Sequence, residues 1–324
     1  MIPAWICCPQ CRGTLNAAEH AWLCADCGRE YPLALGLPDL RVAADPWITP
    51  VEDRAKAIRV VTEAAPGFEA AVRHYWSITP TTPTAQAARH IDHVVHAELR
   101  TTEWLASLTP PPLPGERWLD VGCGTADLAA AAPSSVEVTG VDIAFRWIAL
   151  GQRRLDERGR NAILLTANGE RLPIADASFD RVFLLGTIEH CDDLAAILSE
   201  ALRVLRPGGW LHLRTVNRLS LLPEPHVDLW GVAWLPPRLA DAYARLRGRE
   251  GYRHHHLRSA AQLTRGMHAT GFREVEVSAA ALLPTELRRL PRTLRPLGSS
   301  YQRLRGCRAT RLVAPLLDAR GCRP

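Results

Sequence analysis

At 324 residues, with 47% hydrophobic and 23% charged residues, the chain is long enough for one large core plus a small second one, and too apolar for a disordered chain. No apolar run approaches the roughly 18 residues of a membrane span. The opening MIPAWICCPQC has neither the basic start nor the apolar stretch of a secretory signal, so a cytoplasmic protein without a transmembrane segment is expected. The net charge of +5 is uneven: residues 284–324 hold ten Arg against Glu286 and Asp318, a balance of +8 that leaves −3 elsewhere.

Residues 1–46 come first. CCPQCRGTL and WLCADCGREYPLALGLPDL place Cys8 with Cys11 and Cys24 with Cys27, two Cys-x-x-Cys knuckles. Each knuckle turns two sulfurs toward one point, and two knuckles complete a tetrahedral thiolate site, so a structural Zn2+ ribbon is expected. A segment this short buries too little surface to fold alone, and metal binding supplies the difference. Cys7 is read as a bystander. Residues 47–113 follow as a helical segment and linker. PTTPT at 80–84 interrupts it, Ile91, Val94, Val95 and Leu99 give a helical stripe, and the proline-rich run near 110–114 is stiff. Tyr75 and Trp76, ahead of that stripe, fit either a lid over a ligand or a core.

From Trp118 strands alternate with helices: RWLDVG, VEVTGVD, AILLT, RVFLLGT and WLHLRT read as five strands. Between the last two, Leu194, Ile197, Leu198, Ala201, Leu202 and Leu205 recur at helical spacing, with Asp192 or Asp193 as the cap and RPGG as the stop. Such alternation predicts a mostly parallel sheet with helices on both faces and a ligand at the carboxyl ends of the strands. The expected core of this α/β unit spans 114–283, and 284–324 is an Arg-rich C-terminal segment.

WLDVGCGTADLA, at 118–129, holds the glycines of that first turn. Glycines there let backbone approach a ligand. The pattern is Asp-x-Gly-x-Gly-x-Ala, and an acid ahead of the glycines repels a pyrophosphate but attracts an amino group. These residues resemble the first motif of class I S-adenosylmethionine-dependent methyltransferases. VTGVD resembles the second motif, ANGERLPIADASFDRV the third, and GTIEHCDDLAAILSEALRVLRPGGWLHL the fourth and fifth, so the resemblance covers about 115–280. It implies a Rossmann-like sheet and S-adenosyl-L-methionine as cofactor. Carried over position by position, Asp120 faces the methionyl ammonium, Gly122 and Gly124 admit the cofactor, and Asp142 accepts both ribose hydroxyls. Ile143 packs on adenine, Asn168 with Gly169 stands where many relatives place an aspartate for the adenine amino group, and Leu185 with Gly186 lines the methionine end. Ala126 in the last motif position concerns helix packing more than ligand approach.

The acceptor is less legible. His190, after Glu189, opens the helix that follows strand four and is one base candidate. The apolar stretch TVNRLSLLPEPHVDLWGVAWLPP, at 215–237, reads as a substrate wall with Asn217, Glu224 and His226 as its polar points, and His226 is the second candidate. The run His254–His256 reads as a solvated loop, because consecutive side chains splay apart. Three functions compete: methyl transfer to a small-molecule acceptor (sugar, lipid-linked or secondary metabolite), methylation of ribosomal RNA using the ribbon and the basic tail, and a non-catalytic docking module. The tail supports RNA only weakly, since the chain has a single lysine, Lys56, and arginine fills the other basic positions.

Overall fold

The computed structural model describes residues 2–79, 82, 84–249 and 251–324. Pro80, Thr81 and Pro83 of the expected helix break lie outside the described residues. Two compact units divide the chain at Asp180/Arg181. The N-terminal unit therefore joins the ribbon and the helical segment to the first half of the α/β region, and the 114–283 segment is shared between the two units.

The ribbon is a four-stranded antiparallel sheet of β1 (Leu15–Ala17), β2 (Ala21–Cys24), β3 (Glu30–Ala34) and β4 (Leu37–Pro38). Its chain does not stand apart. The Cys7 amide donates to the Pro173 carbonyl at 3.0 Å and the Ala175 amide to the Trp5 carbonyl at 2.8 Å, while the Trp5 ring meets Phe179 edge-on at 5.2 Å. Four helices follow: α1 (Pro50–Glu63), α2 (Phe68–Ser77), α3 (Thr84–Val95) and α4 (Ala97–Leu105). Thr49 and Glu52 close a reciprocal cap on α1, which fixes where that helix begins.

Next come β5 (Arg117–Val121), α5 (Asp127–Ala131), β6 (Glu137–Asp142), α6 (Phe145–Arg158) and β7 (Ile163–Thr166). The three strands are parallel in the order β5–β6–β7, with Asp120 opposite Gly140 and Asp142 opposite Thr166, the arrangement of a Rossmann-like α/β fold. Their carboxyl ends lie side by side. Val60, Phe68, Val72, Tyr75 and Leu150 form one buried cluster that seats α1 and α2 on α6. Tyr75 belongs to that core and tilts against Trp147 at 4.8 Å, so its ring is already covered by helix packing.

Strand β8 (Phe179–Leu185) leads into the C-terminal unit, which holds α7 (Leu194–Val204), β9 (Leu205–Val216), α8 (Pro237–Leu246), α9 (Ala260–Thr270), β10 (Arg273–Ala279), the short helices α10 (Pro284–Arg289), α11 (Arg295–Leu304) and α12 (Arg308–Val313), and β11 (Leu316–Cys322). Asp193 caps α7 by accepting from Ala195 and Ala196 at 2.9 and 3.1 Å.

The tail departs from expectation. β11 is an inner strand, antiparallel to β9 on one side and to β10 on the other. A boundary at 283/284 thus cuts a sheet rather than releasing a separate basic segment. Within β11 and just after it two arginines are engaged in the unit: Arg320 pairs with Glu276 at 2.7 Å, and Arg323 donates to the carbonyls of Arg203 at 2.9 Å and of Leu205, whereas Arg292, Arg303, Arg305 and Arg308 are exposed.

Candidate functional site: a glycine cradle, four sulfurs and three imidazoles

The cradle is built at the ends of β5, β6 and β7. After β5 the chain turns through Gly122 (φ 78°) and Gly124 (φ 49°), the left-handed region that a side chain disfavours. The Gly122 amide donates to the Val141 carbonyl at 2.7 Å, which lays the loop across the tip of β6. Asp142 then holds the loop from below: one carboxylate oxygen accepts from the Gly124 amide and the other from the Ala144 amide, both at 2.8 Å. Each oxygen keeps lone-pair capacity for a further donor, as ribose hydroxyls require. Ala126 also sits at positive φ (57°) and is buried, and a side chain at Gly151 of α6 would meet the Ala126 methyl at 3.1 Å. That position is a helix-packing contact. The helix that follows, α5, is only five residues long.

Charge around Asp120 is one-sided. Asp120 is buried, and burial first, then the carboxylates of Asp127 and Asp142, hold its pKa well above the usual carboxylate range. Burial likewise raises Asp142, against the pull of the Ala144 and Gly124 amides and of Arg146. A glycine turn beside an acid that is surrounded by acids is complementary to a cation. The donor set fits S-adenosyl-L-methionine, whose sulfonium and ammonium are positive and whose ribose offers two hydroxyls. A linkage follows. A raised pKa means that Asp120 keeps its proton at a pH where an ordinary aspartate has lost it. A bound cation favours the carboxylate, so binding expels a proton. Affinity for S-adenosyl-L-methionine is therefore expected to fall as pH drops below the raised pKa of Asp120 and to level off above it. Calorimetry in two buffers of different ionisation enthalpy measures this; heats that show no proton release would contradict it.

Asn168 is differently placed from expectation. Its Oδ1 accepts from the Val42 and Ala43 amides at 3.0 and 3.1 Å, and its Nδ2 donates to the Ala43 carbonyl at 3.3 Å. The amide ties the ribbon's exit strand to the end of β7, where Asp39 also bridges to Thr166. An adenine contact, if made, is left to its second N–H. Gly169 follows in the same turn. Ile143, expected against adenine, presents its carbonyl to the Arg41 guanidinium at 3.1 Å.

That arginine belongs to a network that sequence reasoning missed. Arg41 pairs with Asp39 at 2.6 Å and Asp53 at 2.8 Å, Arg54 reaches Asp39 at 2.5 Å, and Arg146 reaches Asp45 at 2.8 Å and Asp53 at 2.9 Å. The other acceptor role of Asp53 is to take the amides of Phe145 and Arg146, the first turn of α6. Ribbon, α1 and α6 meet on this one carboxylate, and its Phe145 partner lies three residues beyond Asp142.

In the ribbon, the sulfurs of Cys8, Cys11, Cys24 and Cys27 lie within 4.8 Å of one another. Cys8 and Cys27 are 3.8 Å apart and Cys11 and Cys24 3.4 Å, close to the roughly 3.8 Å edge of a tetrahedron with 2.3 Å zinc–sulfur bonds. Tyr31 reaches the Cys8 sulfur at 3.1 Å through its hydroxyl. Cys7 is buried outside the cluster.

The C-terminal unit holds the base candidates. Leu185 ends β8 half-buried. Glu189, buried, accepts from the Thr215 hydroxyl at 2.8 Å, and burial raises its pKa while His226 opposes. His190 and His226 come together, rings 4.9 Å apart and edge to face. Burial disfavours the charged form of His226, but its hydrogen bond to Glu224, the charge of Glu224 and then that of Glu189 outweigh burial and raise its pKa. The loop expectation for His254–His256 holds only for the backbone. The middle ring turns inward: His255 lies 4.6 Å from His226 and 5.2 Å from His190 and stacks on Tyr252. Only the splay of consecutive residues, with one of three pointing inward, carried a signal for this. Asn217 is turned toward its own chain, where its Nδ2 donates to the carbonyls of Leu312 and Ala314, both at 2.9 Å. Among the described residues, no helix is long and apolar enough to cross a membrane.

Residues 119–213 match the methyltransferase domain family. The ubiquinone biosynthesis O-methyltransferase of Paracidovorax citrulli is 36% identical over 121 residues, 36% of this chain and 49% of that protein. The 27-O-demethylrifamycin SV methyltransferase of Amycolatopsis mediterranei is 35% identical over 136 residues, 40% of this chain and 47% of that one. The chain spans about half the length of these relatives. A chain from the complex between the Haloferax volcanii Trm112 methyltransferase activator and a methyltransferase superposes with a TM-score of 0.50 at 18% identity, covering 74% of this chain and 96% of that one, a likeness of fold. Residues 119–213 therefore belong to a class I S-adenosylmethionine-dependent methyltransferase domain.

Proposed function

We propose that the protein transfers a methyl group from S-adenosyl-L-methionine to an oxygen of a small apolar acceptor, and that its four-cysteine ribbon binds a structural Zn2+. The observation that carries the reading is the acidic glycine cradle, with Asp120 and Asp142 on either side of Gly122 and Gly124 and the carboxylates of Asp127 and Asp142 as the charged company of Asp120. Asp142 holds the ribose, Asp120 faces the ammonium, and the backbone at Gly122 and Gly124 lets the cofactor approach. Gly169 and Asn168 border the adenine. When bound, the cofactor supplies an electrophilic methyl carbon on a sulfonium.

The chain's task is alignment and the exclusion of water. A hydroxyl acceptor also needs somewhere to put its proton, and His190 and His226 are the candidates to take it. Similarity to methyltransferases named for ubiquinone biosynthesis and for a rifamycin derivative favours such acceptors. So does the segment after β9, where Leu219, Leu221, Leu222, Trp230 and Trp234 are all exposed. The RNA reading has less support, since arginine fills the basic positions along the whole chain, which has a single lysine, and Arg320 and Arg323 of the tail are tied into the C-terminal unit. A labelled methyl donor supplied with either a metabolite fraction or bulk RNA tests the proposal. Label is expected in an organic-extractable small molecule; label confined to RNA would overturn it.

A further inference from the structure

We propose that His190, His226 and His255 form a second metal site, one that takes a single divalent transition ion of the zinc class and is separate from the four sulfurs of the ribbon. The inference rests on the geometry of the C-terminal unit alone and stands whether or not the methyl-transfer reading does; with an ion in place, His226 has both ring nitrogens engaged, so it holds the ion instead of serving as a base. One nitrogen from each of the three rings falls within 4.8 Å of the others. Ligands at 2.0–2.1 Å around a tetrahedral ion lie roughly 3.4 Å apart, so each imidazole has to close by no more than about 1 Å. All three donors are imidazole nitrogens, which suit zinc, nickel, copper or iron rather than magnesium or calcium, whose ligands are oxygens. Three protein ligands leave a fourth position for water or for an oxygen of a bound molecule, the pattern of reactive rather than structural sites.

The support behind the rings distinguishes the cluster from a chance meeting of histidines. His226 uses Nδ1 toward Glu224, which leaves Nε2 to face the other rings. Glu224 is itself held: its second oxygen accepts from the His226 and Val227 amides at 3.0 and 3.1 Å, and its own amide donates to the Leu229 carbonyl at 2.9 Å. A carboxylate behind a histidine fixes the tautomer and the ring orientation of metal ligands. His255 lies flat on Tyr252, with ring centroids 4.8 Å apart and planes 7° apart. The next residue joins two of the ligand segments directly, as the His256 amide donates to the Glu189 carbonyl at 2.6 Å and the His256 ring reaches Asp192 at 2.7 Å. The ligands thus come from three loops: the 3-10 turn Ile188–His190, the 224–229 turn, and the segment before α9. The backbone of the first and third is locked together before any ion arrives.

Zinc content tests the site on the full chain. The purified protein is saturated with Zn2+, freed of excess, and counted by mass spectrometry of the metal. Two equivalents per chain are expected. His226→Ala and His255→Gln, made separately, should each hold one, with unchanged far-UV circular dichroism and the cysteine-bound ion retained. If either variant fails to fold, His190→Ala, whose ring is exposed, should show the same drop. Titration against a competing chelator should show Glu224→Gln binding the second equivalent at least ten-fold more weakly. One equivalent in the wild type, or two in every folded histidine variant, overturns the proposal.

Discussion

Asp142→Ala is expected to abolish measurable cofactor binding at micromolar S-adenosyl-L-methionine while the protein stays folded. Two effects combine. The carboxylate's oxygens sit under the glycine loop and at the tip of β6 together, accepting from the Gly124 and Ala144 amides. Alanine removes the proposed acceptor for both ribose hydroxyls, and hydrogen bonds to a charged group contribute about 1.5–3 kcal/mol each. It also frees the Gly124 amide, so the loop loses its preset shape. The expected loss is roughly 100-fold or more in affinity. Asp142→Asn separates the two effects: it keeps an acceptor but not the charge, and should fall between wild type and alanine. Calorimetric titration reads both. An alanine variant that binds like wild type would remove Asp142 from the site.

Much of this cradle was legible in the sequence because it is local. Asp120, Gly122 and Gly124 lie within five residues, and a strand that runs into two glycines states its own turn. Asp142 was legible for the same reason, as the last residue of an apolar strand. What could not be read depends on contacts far apart in sequence. Asp53 meets Phe145 and Arg146 more than ninety residues away, and an Asp on a predicted helix reads as solvated, since buried charges are uncommon. The tie from Asn168 to the amides of 42 and 43 was hidden because those partners carry no side-chain signal at all. β11 was hidden by composition: LLDARGC alternates buried and half-buried positions, but its charged residues resemble the arginine-rich stretch before it. His255 needed a loop conformation that consecutive histidines do not encode.

The second large effect follows from that hidden network. Asp53 is fully buried and joins Arg41, Arg146 and two backbone amides of α6. Asp53→Ala leaves two guanidiniums in the interior with only Asp39 and Asp45 against them, and leaves the first turn of α6 without its acceptor. Breaking a buried ion pair by removing one partner costs about 3–5 kcal/mol, a large share of the stability of an ordinary domain. The N-terminal unit should therefore unfold at markedly lower denaturant. Weaker cofactor binding should accompany this in whatever fraction stays folded, since Asp53 anchors residues 145 and 146 and Asp142 sits three residues earlier. Asp53→Asn, which keeps an acceptor for the α6 amides but no charge, should recover the helix end without the ion pairs. If both variants unfold like wild type, the network is ornamental; if only stability falls and affinity holds, the ribbon and the cradle are joined in structure but not in binding.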